Sequence, residues 1–312
     1  MSSLIYKFSS FSKSLRFGKS NFRLTLISLV MAAILLANFG DCIGQQKSDS
    51  LKQIPEQKYK VNPLRLTLLS SAMAVTFGAM HYYYKNIWWK DQRHYFKFAE
   101  DPYYARNVDK VSHIYTANVI TEGTAAAFEW TGISPKMSLI YGAITAMAYE
   151  TYIEINDGFS PIWGFDWVDM GSNIFGILYP FLQKAIPGLE NFTFKRSSKP
   201  KWLVGKADLL NDYTNMTFWL SVSPSGLLPK SVAKYYPSFI GLALGLSLKN
   251  ASHGTGSTNA YREWFLSFDY DLTKLPGDTP FLKKLKKILN FYHLPAPAVR
   301  ISPSGVWYGL YF

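Results

Sequence analysis

Two hydrophobic textures divide the chain. From Asp109 to about Ala185 apolar residues recur at helical spacing, and the pattern predicts helices over roughly 109–131, 136–156 and 167–185. Gly132 with Pro135, the stretch Gly158 to Gly164, and Pro187 with Gly188 break them apart. Upstream, Leu64 to Met80 is apolar with small residues, and His81, Tyr82, Tyr83, Tyr84, Lys85, Trp88, Trp89 and Lys90 follow it. A membrane helix meets its interface in this way, although a buried helix of a soluble domain would carry a similar run.

After about Phe192 the period falls to two. In Phe239 to Lys249, Ile240, Leu242, Leu244, Leu246 and Leu248 share one face, and in Tyr261 to Leu272 the apolar face is Trp264, Leu266, Phe268, Tyr270 and Leu272. The last seven residues, Val306 to Phe312, alternate as well, and Met216 to Ser223 is a possible fourth strand. Strands of about ten residues have the length that crosses a membrane at a tilt, yet a closed membrane barrel needs about eight of them. The expected arrangement is therefore a partial antiparallel sheet laid on the helices. Phe281 to Leu294 sets Leu282, Leu285, Ile288, Leu289 and Tyr292 against Lys283, Lys284, Lys286 and Lys287, a basic amphipathic helix suited either to a lipid interface or to a protein surface.

The fold class is thus α+β. A signal peptide or anchor (1–44) and an exposed tether (45–62) precede a membrane-associated bundle of about four helices (63–190), which is followed by a β-rich region with one basic helix (191–312). The first segment carries Lys7, Lys13, Arg16, Lys19 and Arg23 ahead of the apolar run Leu24 to Phe39. Cleavage after Gly44 would remove those five cations, Asp41 and the only cysteine, Cys42, lowering the formal charge from +12 to +8. Acylation of Cys42 and retention of the segment as an anchor are the alternatives.

At 48% hydrophobic and 17% aromatic, the chain is not of a disordered type. Its basic residues flank apolar segments, so an anionic membrane surface is the expected partner, along with other envelope proteins, and nucleic acid is not.

Ionisable residues among the apolar helices mark the candidate chemistry, because each must be paired, hydrogen-bonded or facing water. Asp109 and His113, four apart, share a helix face beside Lys110, where the carboxylate can orient the imidazole or complete a metal pair; an exposed helix start would carry the same residues. Glu150, Glu154 and Asp157 share one face of the next helix, and their mutual repulsion calls for water, a cation, raised pKa values or a bound metal, a solvated helix end being the expected account of Glu150. Asp166 suits an N-cap, Asp169 lies in the first turn that follows, and Asn173 needs a buried partner. No phosphate loop, nucleophile elbow or paired-histidine zinc motif occurs, and His81, His94, His253 and His293 are scattered. The segment from Asn290 to Arg300, with two prolines, reads as rigid and structural.

Asp109, Lys110 and His113, then Glu154 and Asp157, then Gly164, Phe165, Asp169, Asn173 and Gly176, resemble in type and spacing the signature of the uncharacterised bacterial envelope family typified by YfiM. That family is described as predicted lipoproteins, and its pattern is similar to that of VanZ-like membrane proteins. The likeness spans about 109–180, and Asp166 departs from it where a small hydroxyl residue is expected. It implies a fold and an envelope location, on the outer-membrane or periplasmic side, but no reaction.

The leading expectation is a non-enzymatic scaffold or lipid-contacting protein fastened by its polar network. The alternative is a membrane-embedded hydrolase or transferase acting on a lipid-linked or cell-wall substrate, with His113, Glu154, Asp157 and Asp169 as acid, base or ligands of a divalent metal.

Overall fold

The computed structural model describes residues 59–90, 93–99, 104–200, 213–251 and 259–312, so the expected signal segment and most of the tether lie outside the described residues. Helix α1 (Pro63–Ile87) starts where Asn62 accepts a hydrogen bond from the Arg65 amide and Pro63 fits the first turn. Three more helices follow: α2 (Val108–Trp130), α3 (Pro135–Gly158) and α4 (Trp167–Ala185). Ser134 caps α3 by accepting from the Met137 amide, and Asp166 caps α4 by accepting from the Val168 amide.

The expected bundle of about four helices is corrected to three. Helices α2, α3 and α4 pack together, whereas α1 buries only Tyr84. Helix α1 is apolar around its whole circumference, so no stripe directs it inward. It is held instead by point contacts: the Tyr84 and Tyr149 hydroxyls lie 2.5 Å apart, and His81 meets the Tyr152 hydroxyl.

Helix α2 is the shared element of the bundle, and two glycines set its distance from its neighbours. A Cβ at Gly142 of α3 would come 2.3 Å from the Thr121 carbonyl oxygen, and one at Gly176 of α4 would come 2.3 Å from that of Ile114. Both backbones therefore press against α2, which brings the polar faces of all three helices together.

The remainder is one six-stranded antiparallel sheet in chain order: β1 (Phe192–Ser198), β2 (Met216–Val222), β3 (Ile240–Lys249), β4 (Tyr261–Tyr270), β5 (Ala296–Ser302) and β6 (Val306–Tyr311). Helix α5 (Pro280–Leu289) lies between β4 and β5. The sheet has two strands that alternation does not reveal. The centre of β1 is Lys195 and Arg196, and β5 opens through Pro295 and Pro297, which suppress the period-two signal. The sheet curls on itself, since Lys195 of β1 reaches the Tyr270 carbonyl and Asp269 of β4, and Thr217 of β2 meets Tyr311 of β6. The Arg196 amide donates to the Phe291 carbonyl and the His293 amide to that of Arg196, so the free edge of β1 closes onto the chain leading into β5.

Candidate functional site

Each helix of the bundle delivers acids to one place. Helix α2 is entered through three consecutive left-handed residues, Ala105, Arg106 and Asn107, with φ of 49°, 54° and 65°. None is a glycine, so the turn is strained by roughly 1 kcal/mol or more per residue. It is pinned where Arg106 donates to the Ala260 carbonyl and Arg262 donates to that of Arg106. Val108 then packs with Met216, Phe218 and Leu248 of the sheet, which directs Asp109, Lys110 and His113 into the bundle.

There Lys110 Nζ lies 2.7 Å from Asp166 Oδ2, 2.8 Å from Asp169 Oδ1 and 3.2 Å from Asp109 Oδ2. His113 Nε2 faces Asp109 Oδ1 and Asp169 Oδ1 at 3.7 Å each, and Nδ1 lies 3.0 Å from Asn173 Oδ1. Glu150, only 3% exposed, approaches Nδ1 at 3.9 Å, and its other oxygen has no partner. Glu154 accepts from the Asp166 amide, and Asp157 accepts from the Trp89 indole at 2.7 Å. Asp109, His113, Glu150, Glu154, Asp157, Asp166 and Asp169 all line one cavity of about 490 Å³, whose wall also carries Tyr84, Tyr104, Trp163, Arg196 and Tyr213.

Six carboxylates thus share two close cations, and their protonation reflects it. Burial opposes charge on His113, but Asp169, Asp109, Glu154 and Glu150 outweigh it and hold the imidazole pKa up at about 10. Burial raises Glu150 to about 7 against the pull of His113, and raises Asp157 to about 7. Glu154 and Asp169 also move up, through burial and through neighbouring acids. Asp109 moves down despite its burial, because His113, Lys110 and the Tyr213 hydroxyl favour its charged form.

All nine polar residues read from the sequence therefore converge. A solvated helix end does not describe Glu150, nor does an exposed helix start describe Asp109; the start of α4 and Tyr213 cover the first turn of α2, and Glu150 of α3 is buried against His113 of α2. Sequence reasoning missed Tyr213, which donates to Asp109 Oδ1 from more than a hundred residues away, and Arg196, which stacks over Tyr115. Neither has a local signal, because the sheet brings both in. Of the described residues, Asp109, His113 and Asp169 form the group suited to a metal, with donor atoms within 4.8 Å of one another.

The molecular surface is unusual in a second way. On the outer face of the sheet Leu242, Leu244, Leu266, Phe268, Ile301, Trp307 and Leu310 are exposed, while the inner face buries Lys195, Ser221, Ser247, Glu263, Ser267 and Asp269 beside an apolar cluster of Trp219, Ala243, Phe265, Ala298 and Tyr311. The bundle covers only part of that outer face, with Phe194 packed on Tyr179 and Phe218 on Tyr115. Helix α5 is turned the same way round. Lys284 and Lys287 pair inward with Glu129 and Glu122 of α2, leaving Phe281 at 73% exposure beside Ile288 and Leu289. Helix α1 is long and apolar enough to cross a membrane.

Residues 97–185 match the family described as "Predicted periplasmic lipoprotein (DUF2279)". That stretch contains every acid of the cavity together with Lys110, His113 and Asn173, and ends with α4. No curated protein and no solved structure matches the chain. The protein is an exported component of the bacterial cell envelope on the periplasmic side, of a kind whose activity is unknown.

Proposed function

We propose that this is a lipid-seated scaffold protein of the envelope, resting in the outer membrane through the bare face of its sheet, α5 and α1. The observation that carries the reading is the apolar outer face of the sheet. A sheet bathed in water presents polar residues to it, whereas here Leu266 is 52% exposed and Asp269, three residues further along the same strand, is fully buried. Acyl chains are the medium that favours this order. The exposed Lys283 of α5 suits anionic headgroups at the rim. Cys42 is the residue on which the lipoprotein description of the matched family would place an acyl anchor, and the spacing likeness to YfiM-type and VanZ-like proteins supports the same setting.

The test is photolabelling of the full chain in vesicles by a phospholipid with a diazirine on its acyl chain, with adducts mapped by mass spectrometry. Adducts are expected on β3, β4 and β6 around Leu244, Leu266 and Trp307. Labelling confined to α1 would remove the reading.

A second reading is favoured by one observation, the convergence of His113 with Glu154, Asp157 and Asp169 on a single cavity. A proton donor and several bases along one cavity wall would suit a hydrolase or transferase acting on the polar head of a lipid-linked or cell-wall substrate. Turnover of such a substrate that is abolished in Glu154→Gln, with the fold retained, would establish it.

A further inference from the structure

The spacing around His113 is informative for what it lacks. Asn173 presents an amide oxygen to Nδ1, and an oxygen only accepts, so Nδ1 carries a proton and the ring is held in one orientation. The opposite nitrogen, Nε2, then points between Asp109 Oδ1 and Asp169 Oδ1. At 3.7 Å from each it forms a hydrogen bond with neither. Two donors that each lie about 2.1 Å from one ion at tetrahedral angles are about 3.4 Å apart. The gap is therefore too wide for a proton bridge and within a few tenths of an ångström of a ligand-to-ligand edge.

A second observation points to the same place. Asp169 Oδ1 is buried and, apart from the Lys110 ammonium 2.8 Å away, has no hydrogen-bond partner. Lys110 engages Asp109 through Oδ2, the oxygen turned away from His113, so Asp109 Oδ1 remains directed at the gap while Tyr213 donates to it.

We infer that Asp109, His113 and Asp169 bind one divalent transition-metal ion, with Asn173 as the positioning residue that orients the imidazole. One imidazole with carboxylates suits zinc better than magnesium or calcium, which take all-oxygen shells. The inference is independent of the lipid seat, because it concerns only the interior of the bundle.

The test uses the full chain, stripped with a chelator and dialysed against Zn²⁺ for elemental analysis and calorimetry. One zinc per chain is expected in the native protein and in the control His94→Ala, whose side chain is exposed outside the cavity. His113→Ala should lose stoichiometric zinc, and Asn173→Ala should bind it about 10–100-fold more weakly. Absence of stoichiometric zinc from the native chain, or its retention by His113→Ala, would overturn the inference. Should the variants fail to fold, X-ray absorption at the zinc edge of the native protein decides: one imidazole among oxygen donors supports the site, and an all-oxygen shell rejects it.

Discussion

In the sheet, Lys195 meets Asp269, and Arg300 and Lys249 meet Glu263, so each carboxylate has at least one cation, whereas in the bundle six carboxylates share Lys110 and His113. Both clusters are buried, so desolvation does not distinguish them; stoichiometry does. Around Lys195 the remaining donors are used up on Asn290 and the Tyr270 carbonyl, and Ser221 donates to Asp269, with Trp219 stacked on His293 at 4.0 Å as a lid. Each cluster leaves buried atoms without a hydrogen-bond partner, Asp269 Oδ1 and His293 Nδ1 in the sheet and Glu150 Oε1 and the Asn173 amide nitrogen in the bundle, but in the bundle a cavity also separates the groups. The first pattern holds a fold together. The second leaves room and charge for a ligand.

Removing the central cation from each cluster tests this contrast most strongly. Lys195→Met strands Asp269 inside the sheet and is expected to cost about 3–5 kcal/mol, as breaking a buried pair does. Lys110→Met should cost a similar amount at pH 8 but much less at pH 5, because neighbouring acids with raised pKa values take up protons and relieve the excess charge. Denaturant unfolding in detergent at both pH values measures this. Equal pH sensitivity in the two variants would erase the distinction.

The native protein should show the same imbalance on a somewhat smaller scale. Glu150 titrates near 7 when folded against about 4.5 when unfolded, so between those values the folded state holds more protons and stability falls as pH rises. Asp157 acts in the same sense between about 3.8 and 7. The contribution of His113 is fully present below about 6.5 and is lost as pH rises through about 10. Asp109, whose pKa is depressed, opposes the trend only when pH falls below its unfolded value of about 3.8. Stability is therefore expected to be highest near pH 4.5–5 and to drop by about 3 kcal/mol or more by pH 8. Bound zinc would flatten the curve by taking the place of protons, which a melting series with and without the metal would record.

Much of the bundle was legible in the sequence because its signals are local. Pro135 after Ser134, and Asp166 before Trp167, announce helix starts, and the acids at steps of three and four announce a shared face. The direction of that face was not legible, since a solvated Glu150 and a buried one have the same spacing; the packing of Gly142 and Gly176 against α2 decides it. In the sheet, β3 and β4 were plain from alternation, but alternation alone does not say which face is outside. Lys195 in β1 reads as a solvent residue until Asp269 arrives from 74 positions further along. Long-range pairing of this kind explains both the missed strands and the unexpected inner polarity.

The smallest expected effect compares the two asparagines at the hearts of the clusters. Asn290 Oδ1 accepts from Lys195 Nζ at 3.0 Å and from the Leu272 amide at 2.9 Å, so Asn290→Ala leaves two buried donors unsatisfied and should cost about 2–3 kcal/mol. Asn173 is also fully buried, but it engages one nitrogen of His113 and leaves its own amide nitrogen without a partner. Asn173→Ala should therefore cost only about 1 kcal/mol, because a single bond is lost and half of the amide was already unused. The two substitutions remove the same atoms from buried sites, so the difference in unfolding free energy reads how fully each asparagine is engaged by its cluster. A loss at Asn173 as large as that at Asn290 would mean that the bundle cluster is a lock like the one in the sheet. A smaller loss, together with a free His113 ring detected by a changed imidazole NMR signal, means that Asn173 aims the ring more than it holds the fold.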